Sequence, residues 1–289
     1  MVMLKHSLIW IFGLAIALVA AMAAMGAIAK NKAPEIAISL QPINGYSAQK
    51  IVSNTIISKV ATNQGKFPDQ VSPAVVRLAQ YAFLAEPVTP EAVAVLALNQ
   101  PLNTRRKLMR KAFALSRREQ LITGWLIADS GSQDDISGVL SYYDIMLRTS
   151  SASGSVVIPV MAGGLANEEF IEPFSELLSD PPPWTSQFWA AVAADPKAIV
   201  NGAALRTLVY RKDESKEIYR DADLIAALVY NQHLGEAEKL YDLLSNQPSS
   251  SDLVRNSSFA HEPVFAPLDW QLFSTGEYGA AVTGGKLQL

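Results

Sequence analysis

The fold class is decided by residues 108–150, LMRKAFALSRREQLITGWLIADSGSQDDISGVLSYYDIMLRTS. Apolar residues recur here at helical spacing, and short turns containing Ser, Gly or Asp interrupt them. The helix-sized segments in and around this stretch are 104–115, 118–130 and 134–148. The stretch is therefore predicted to form consecutive helices joined by short turns.

The same pattern continues on both sides of this stretch. A Pro or a cluster of Gly, Ser and Asp recurs about every dozen residues, and no segment alternates with period two until near the C-terminus. In the segment 73–85, Val75, Leu78, Ala79 and Ala82 follow helical spacing. The other predicted helices are 47–60, 73–85, 89–99, 156–162, 168–178, 185–194, 196–210, 218–232 and 236–244. Thr89 before Pro90 and Asp195 before Pro196 are predicted to cap two of them.

Three similar segments indicate an internal repeat. Residues 143–147 (YDIML) end one helix pair, residues 174–178 (FSELL) end another 31 positions later, and residues 241–244 (YDLL) begin 67 positions after that. A period of about 31–34 residues is the size of a helix-turn-helix repeat, and such hairpins bury their apolar faces by stacking. The pattern predicts an α-solenoid, with a generic helical bundle of fortuitous spacing as the alternative.

Residues 108–150 also carry a more specific pattern. A Trp-Leu pair lies in the first helix, Gly and two Asp lie in the turn, and Tyr-Asp and Leu lie in the second helix, at Trp125, Leu126, Gly131, Asp134, Asp135, Tyr143, Asp144 and Leu147. This pattern resembles the tetratricopeptide-repeat proteins of proteobacteria. Residues 235–248, GEAEKLYDLLSNQP, resemble the second helix and terminal Pro of such a repeat. The resemblance covers roughly residues 45–248 and implies a scaffold for protein–protein contact rather than catalysis.

The N-terminal run from Leu8 to Ala29, LIWIFGLAIALVAAMAAMGAIA, contains no charged residue. At about 1.5 Å per residue it makes roughly 33 Å of helix, which is enough to cross a hydrocarbon core of about 30 Å. We predict a membrane anchor here. The main alternative is a cleaved signal peptide, in which Lys5 would form the short basic n-region. Either interpretation places the body outside the cytoplasm. We expect a single-pass inner-membrane protein with a periplasmic body, with secretion to the periplasm after signal cleavage as the alternative.

These patterns divide the chain into four predicted segments. An anchor or signal sequence occupies 1–30, and a linker with Pro34 and Pro42 occupies 31–45. A helical repeat domain follows over 46–248, and a β-rich segment over 249–289. The predicted fold is thus mainly α: a tetratricopeptide-like α-solenoid of antiparallel helix hairpins, preceded by one transmembrane helix and followed by a short β-rich piece. The resemblance extends to a subgroup with this same order of parts.

The β-rich segment contains four short predicted strands between Gly and Pro turns, at 256–259, 267–272, 280–282 and 286–289. They resemble the opening strands of a jelly-roll-like carbohydrate-binding sandwich, a class of fold that needs about 100 residues. The strands are therefore expected either to pack on the last helix as a cap or to belong to an incomplete sandwich. In the second case Trp270 would carry sugar binding.

Charge is distributed unevenly along the chain. Residues 1–130 contain 14 Lys/Arg and 6 Asp/Glu, a net charge of +8, whereas residues 131–289 contain 10 and 21, a net charge of −11. Most of the basic excess lies in Arg105, Arg106, Lys107, Arg110, Lys111, Arg117 and Arg118. This group predicts a surface for lipid headgroups, an acidic polysaccharide or an acidic protein, with a merely solvated helix face as the alternative. The acidic pI of about 5.7 argues against a nucleic-acid partner.

No motif for catalysis or cofactor binding is recognisable. The chain has no Cys, and His6, His233 and His261 lack ligand-spaced partners. The dinucleotide-binding, phosphate-loop and hydrolase-elbow motifs do not occur. We therefore predict no cofactor, no metal and no enzyme activity, and interpret Trp125, Trp184 and Trp189 as core residues.

The predicted function is a membrane-anchored scaffold that mediates protein–protein interaction in the bacterial cell envelope, linked by analogy to surface-polysaccharide assembly. The alternatives are a carbohydrate-binding module on a helical stalk and a glycan-processing enzyme that uses carboxylates clustered with aromatic residues in a deep pocket.

Overall fold

The structure is a computed structural model that describes residues 2–30, 32–41, 43–212, 220–245, 255–275 and 279–288. Side chains are described within these ranges from Ile16 onward, apart from that of Lys212. The described part of the chain contains 14 α-helices and one small two-stranded sheet. The prediction of a mainly α fold with a short β-containing end is therefore confirmed.

The chain divides into two compact units, Met1–Asp129 and Ser130–Leu289. The helices of the first unit pack in chain order: α1 on α2, α2 on α3, α3 on α4 and α5, α4 on α5, and α5 on α6. Their bounds, together with those of α7, which begins in this unit, are α1 (Val2–Ala29), α2 (Pro34–Leu40), α3 (Gly45–Thr62), α4 (Pro73–Ala85), α5 (Pro90–Leu98), α6 (Leu102–Leu115) and α7 (Gln120–Gly131). The segment 31–45, predicted as a linker, thus contains the helix α2.

The second unit contains seven further helices, two single turns of 3-10 helix (Ser151–Ser153 and Glu168–Phe170) and two short strands. The helices are α8 (Ile136–Thr149), α9 (Gly154–Gly164), α10 (Ile171–Leu177), α11 (Thr185–Ala194), α12 (Ile199–Lys212), α13 (Asp221–Tyr230) and α14 (Leu234–Ser245). The strands are β1 (Ala281–Thr283) and β2 (Lys286–Gln288).

The helices of the second unit pack in two rows, as repeat proteins do. Each helix contacts the helix two positions along the chain, so that α8, α10, α12 and α14 form one row and α9, α11 and α13 form the other. The three similar segments that indicated the repeat begin at Tyr143, Phe174 and Tyr241, which lie in α8, α10 and α14 of the first row. The period therefore corresponds to a pair of helices, and the packing is consistent with an α-solenoid.

Aromatic side chains form the centre of the second unit's core. Phe188 of α11 has its ring 4.8 Å from that of Phe174, 5.9 Å from that of Trp184 and 5.5 Å from that of Trp189. Trp184 and Trp189 are buried here, and Trp125 is buried in the first unit. The interpretation of these three tryptophans as core residues is confirmed.

The helix starts show which capping predictions hold. Pro90 opens α5 after Thr89, as predicted, but the Thr89 hydroxyl donates to the Glu86 carbonyl and caps no helical amide. The prediction that Asp195 caps a helix starting at Pro196 is wrong, because α12 begins at Ile199. The Asp195 carboxylate instead accepts the Lys197 amide at 3.0 Å and closes a turn before the helix.

The predicted anchor from Leu8 to Ala29 lies within α1. The side chains of residues 8–15 are outside the described part of the structure. Among the residues that are described, no helix has the length and apolar character needed to cross a membrane. The anchor and its alternative, a cleaved signal peptide, stay predictions.

The C-terminal segment forms two of the four predicted strands. β1 and β2 pair as an antiparallel hairpin with Val282 opposite Leu287, and Gly284 and Gly285 supply the two positive φ angles of its turn. The predicted strands 256–259 and 267–272 are wrong, since none of these residues belongs to a strand and half of them lie in turns. The Asp269 carboxylate closes one of the turns by accepting the amides of Val264 and Phe265, both at 3.1 Å.

These turns lie against the last helix, as expected for a cap. The Tyr241 hydroxyl of α14 donates to Asp269 at 2.8 Å, and the Tyr241 ring meets that of Phe265 edge-on at 5.7 Å. Phe265 and Leu268 pack against the core of the unit. Burial and the neighbouring Asp269 carboxylate raise the pKa of Tyr241 to about 12, so this hydroxyl stays a hydrogen-bond donor at neutral pH.

Candidate functional site

Five of the seven predicted cationic site residues are exposed in the first unit. Lys107, Arg110 and Lys111 are exposed on α6, and Arg117 and Arg118 are exposed in the turn after it. Positions three and four apart are neighbours on a helix surface, so Arg110 and Lys111 each lie next to Lys107. Among the described residues, none of the five takes part in an ion pair. We call these five residues the basic face.

The other two predicted site residues are engaged inside the unit. Arg106 is half-buried, and its Nε contacts both carboxylate oxygens of Asp129 at 2.9 and 3.0 Å. Arg105 is also half-buried and donates to the backbone carbonyl of Gln100 at 3.3 Å. Both residues therefore stabilise the packing of α6, and the predicted patch is reduced to the basic face.

A cavity of about 350 Å³ lies beside the C-terminal end of α6, within the first unit. Its polar lining comes from the residue after α1, the start of α3, the start of α5 and the turn before α7. The polar residues that matter for its chemistry are Lys30, Tyr46, Gln49, Lys50, Glu91 and Glu119. We call this feature the Glu91 cavity.

Glu91 is the most deeply buried carboxyl group of this cavity, with 2% of its surface exposed. It accepts the Ser53 hydroxyl at 2.7 Å, and the Lys50 ammonium lies 3.6 Å away. Burial raises the pKa of Glu91 to about 7, with a smaller contribution from the charge of Glu119, while the Ser53 hydrogen bond and Lys50 act in the opposite direction. The group is thus poised between its neutral and charged forms near neutral pH.

The other charged groups of the cavity are only partly neutralised. Glu119 accepts the Ser116 hydroxyl at 3.0 Å, and after burial both its charge and its side-chain hydrogen bond with Glu91 help to raise the pKa of Glu91. The Lys30 ammonium lies 5.2 Å from the centre of the Tyr46 ring. Among the described residues, the buried Oε1 atom of Gln49 has no hydrogen-bond donor. The cavity therefore presents two ammonium groups, two carboxyl groups and one unsatisfied acceptor.

No motif in the sequence indicated this cavity. Its one signal was a lone Glu within PEAVAVLAL, the otherwise apolar sequence of α5. A charged residue in a helix that is buried on several sides needs a partner from elsewhere in the fold. The partners, Ser53 and Lys50, come from α3, about 40 positions away in the chain.

Trp270, the proposed sugar-binding residue, has a structural role. Its Nε1 lies within hydrogen-bond distance of the carbonyls of Arg255 and Asn256, at 3.1 and 3.2 Å, and its ring lies 5.2 Å from that of Phe259. Arg255 in turn covers the Tyr241 ring at 4.5 Å and pairs with Asp242 at 3.1 Å. The polar atom of the indole is therefore committed to holding the C-terminal turns together.

Within the described ranges, no three His, Asp or Glu side chains lie close enough together to hold a metal ion. No protein-family model matches the chain, and no curated protein or solved structure matches it either. The resemblance to tetratricopeptide-repeat proteins therefore rests on the residues quoted above and stays a prediction.

Proposed function

We propose that this chain is a membrane-anchored helical-repeat scaffold of the bacterial cell envelope that holds an acidic protein partner on the basic face. The paired-helix packing of the second unit supports the scaffold, since helical repeats offer extended surfaces for binding proteins. The anchor and the link to surface-polysaccharide assembly rest on the sequence patterns alone.

We choose the basic face as the binding site because its side chains are exposed and form no ion pair within the described residues. Arg105 and Arg106, in contrast, contact other residues of the first unit. Lys107 and Lys111 lie one helical turn apart, and like charges at this spacing destabilise a helix by about 0.2–0.5 kcal/mol. Carboxylates of a partner would remove this repulsion and gain charge-assisted hydrogen bonds. An acidic protein segment can supply several carboxylates at helical or extended spacing.

The test is site-specific photo-crosslinking of the full chain in its bacterial host. Ala114 is exposed between the cations of the basic face, so a photoreactive amino acid at this position samples whatever binds there. The same amino acid at Leu84, which is 80% exposed on α4, serves as the positional control. We expect a crosslink to one protein with an acidic segment from position 114 and none to that protein from position 84.

Charge reversal makes the test specific. The double variant Lys107→Glu/Lys111→Glu is expected to abolish the crosslink from position 114, whereas Lys59→Glu, an exposed lysine on α3, leaves it intact. A crosslink to lipid or to polysaccharide would assign the basic face to that ligand instead. Equal crosslinking in both charge variants would show that the basic face does not select the partner.

A further inference from the structure

The Glu91 cavity contains an arrangement of charges that the proposed scaffold does not use. Its lining combines two ammonium groups, Lys30 and Lys50, with two carboxyl groups, Glu91 and Glu119. A volume of about 350 Å³ lies in the range of small-ligand pockets. A lining with both signs of charge matches a ligand that also carries both.

The acceptors of the cavity point to the chemistry of one end of the ligand. Gln49 Oε1 is buried without a donor among the described residues, and a buried acceptor without a donor costs about 1–3 kcal/mol. The Glu91 and Glu119 carboxyls line the same space and interact directly, since the charge of Glu119 and its side-chain hydrogen bond with Glu91 both add to the effect of burial in raising the pKa of Glu91. A primary ammonium carries three N–H donors and a positive charge, so it satisfies the amide oxygen and neutralises the carboxyl pair.

The cations of the cavity point to the chemistry of the other end. Lys50 is 3.6 Å from Glu91, and Lys30 lies over the Tyr46 ring. Neither contact exhausts the three donors of an ammonium group. A phosphate or carboxylate held near these two lysines would complete their hydrogen bonding.

We propose that the Glu91 cavity binds a small zwitterion in which a primary ammonium and a phosphate or carboxylate are joined by a short linker, the chemistry of phosphoethanolamine. The ammonium is held by Glu91, Glu119 and Gln49, and the anion by Lys30 and Lys50. Such a group can come from a soluble molecule or from a bilayer headgroup. Lys30 immediately follows α1, which contains the predicted anchor.

The test uses the full chain in nanodiscs of phosphatidylcholine, titrated calorimetrically with O-phosphoethanolamine at pH 7. We expect saturable binding with release of a proton to the buffer, because an ammonium beside Glu91 favours its charged form. O-phosphocholine, which has no N–H donor, and ethyl phosphate, which has no ammonium, are expected to bind at least about tenfold more weakly. These comparisons need no variant.

Variants locate the site. Glu119→Gln keeps the acceptor for the Ser116 hydroxyl but removes a charge, and we expect binding about tenfold weaker. Glu35→Gln, at an exposed position of α2 outside the cavity, is the matched control and leaves the affinity unchanged. Absent binding of O-phosphoethanolamine, equal binding of the three ligands, or equal affinity of the two variants would each overturn the proposal.

A second arm separates the two sources of the ligand. In nanodiscs that contain phosphatidylethanolamine, a headgroup in the cavity competes with soluble O-phosphoethanolamine and weakens its apparent affinity. An unchanged affinity there assigns the site to a soluble zwitterion, and both results support the cavity as a binding site. The basic face takes no part in the calorimetric titration. The outcome of the titration is therefore independent of the crosslinking result.

Discussion

Glu91 shows how one buried carboxyl group couples the first unit to pH. Its pKa is about 7 in the folded chain, against an ordinary value of 4.5. The folded state therefore holds a proton that the unfolded state has already lost between these two values. By linkage, this group lowers the stability of the fold as the pH rises from about 4.5 to about 7, and its effect is constant above that range.

We expect Glu91→Gln to remove this pH dependence. The Gln side chain can still accept the Ser53 hydroxyl but has no charge to desolvate. The stability of the variant relative to the wild type should therefore increase by a few kcal/mol between pH 4.5 and pH 8. Urea unfolding of the full chain at several pH values measures this difference. Glu35→Gln is the exposed control, and a constant difference between Glu91→Gln and wild type would contradict the assignment.

Arg206 and Asp221 form a buried ion pair in the second unit. Arg206 is fully buried, Asp221 is 7% exposed, and the guanidinium contacts both carboxylate oxygens at 2.7 and 3.0 Å. The pair joins α12 to the first turn of α13. Removing one partner of a buried pair leaves the other charge in a medium that solvates it poorly.

We expect Asp221→Asn to destabilise the second unit by about 3–5 kcal/mol. Asp223→Asn is the matched control, because Asp223 lies in the same turn and pairs with Arg220, and both of these residues are about half exposed. Asp223→Asn should lower the free energy of unfolding by less than about 1 kcal/mol. Urea unfolding followed by circular dichroism compares the two variants, and similar losses would show that burial does not set the cost.

At the scale of elements, the contact between α3 and α4 depends on a missing side chain. Gly45 opens α3, and a Cβ atom there would lie 2.7 Å from the Ala82 carbonyl oxygen and 2.8 Å from Glu86 Cγ. The backbone oxygen cannot move without shifting α4. The packing of these two helices therefore requires glycine at this position.

We expect Gly45→Ala to destabilise the first unit by about 1–3 kcal/mol, because the helices must separate. Gly124, inside α7, is the matched control. A Cβ atom added there would lie 3.7 Å from the Phe67 ring, which is an ordinary van der Waals contact. Gly124→Ala should therefore stabilise the helix by about 0.5–1 kcal/mol. Thermal unfolding of both variants tests the pair, and a stable Gly45→Ala chain would refute the close approach.

At the scale of the whole molecule, the division of charge coincides with the division into units. The boundary between the two units along the chain falls between Asp129 and Ser130, and the net charges of the two parts are +8 and −11. The overall charge of −3 therefore describes neither unit. Interactions of each unit with charged partners depend on its own field, which salt screens beyond about 8 Å at physiological ionic strength.

We expect the full chain to bind a cation exchanger at pH 7 and low salt, despite a pI of about 5.7. The exposed cations of the basic face provide the contact, and Lys107→Glu should elute at lower salt than the wild type. Lys59→Glu, which makes the same charge reversal at a lysine outside the basic face, should shift elution less. Failure of the wild-type chain to bind the resin would show that the positive charge is not presented as one surface.

Local patterns account for the parts of the fold that the sequence predicted well. The helix 73–85 was predicted with its observed bounds, because Pro73 opens it and its apolar spacing is regular. The C-terminal strands were predicted less well, since the turn at Val264–Asp269 depends on one carboxylate and its contact with Tyr241 in another element. Short segments without strong periodicity take their conformation from such contacts.

The sequence by itself determined the helical class, the repeat of paired helices and the separation of charge, because each depends on composition or on spacing along the chain. Only the tertiary structure decided which cations remain exposed and where a carboxyl group is buried. Arg106 meets Asp129 23 positions away, and Glu91 meets Ser53 38 positions away. Contacts of this range follow from the packing of helices against one another, and no local pattern in the sequence encodes them.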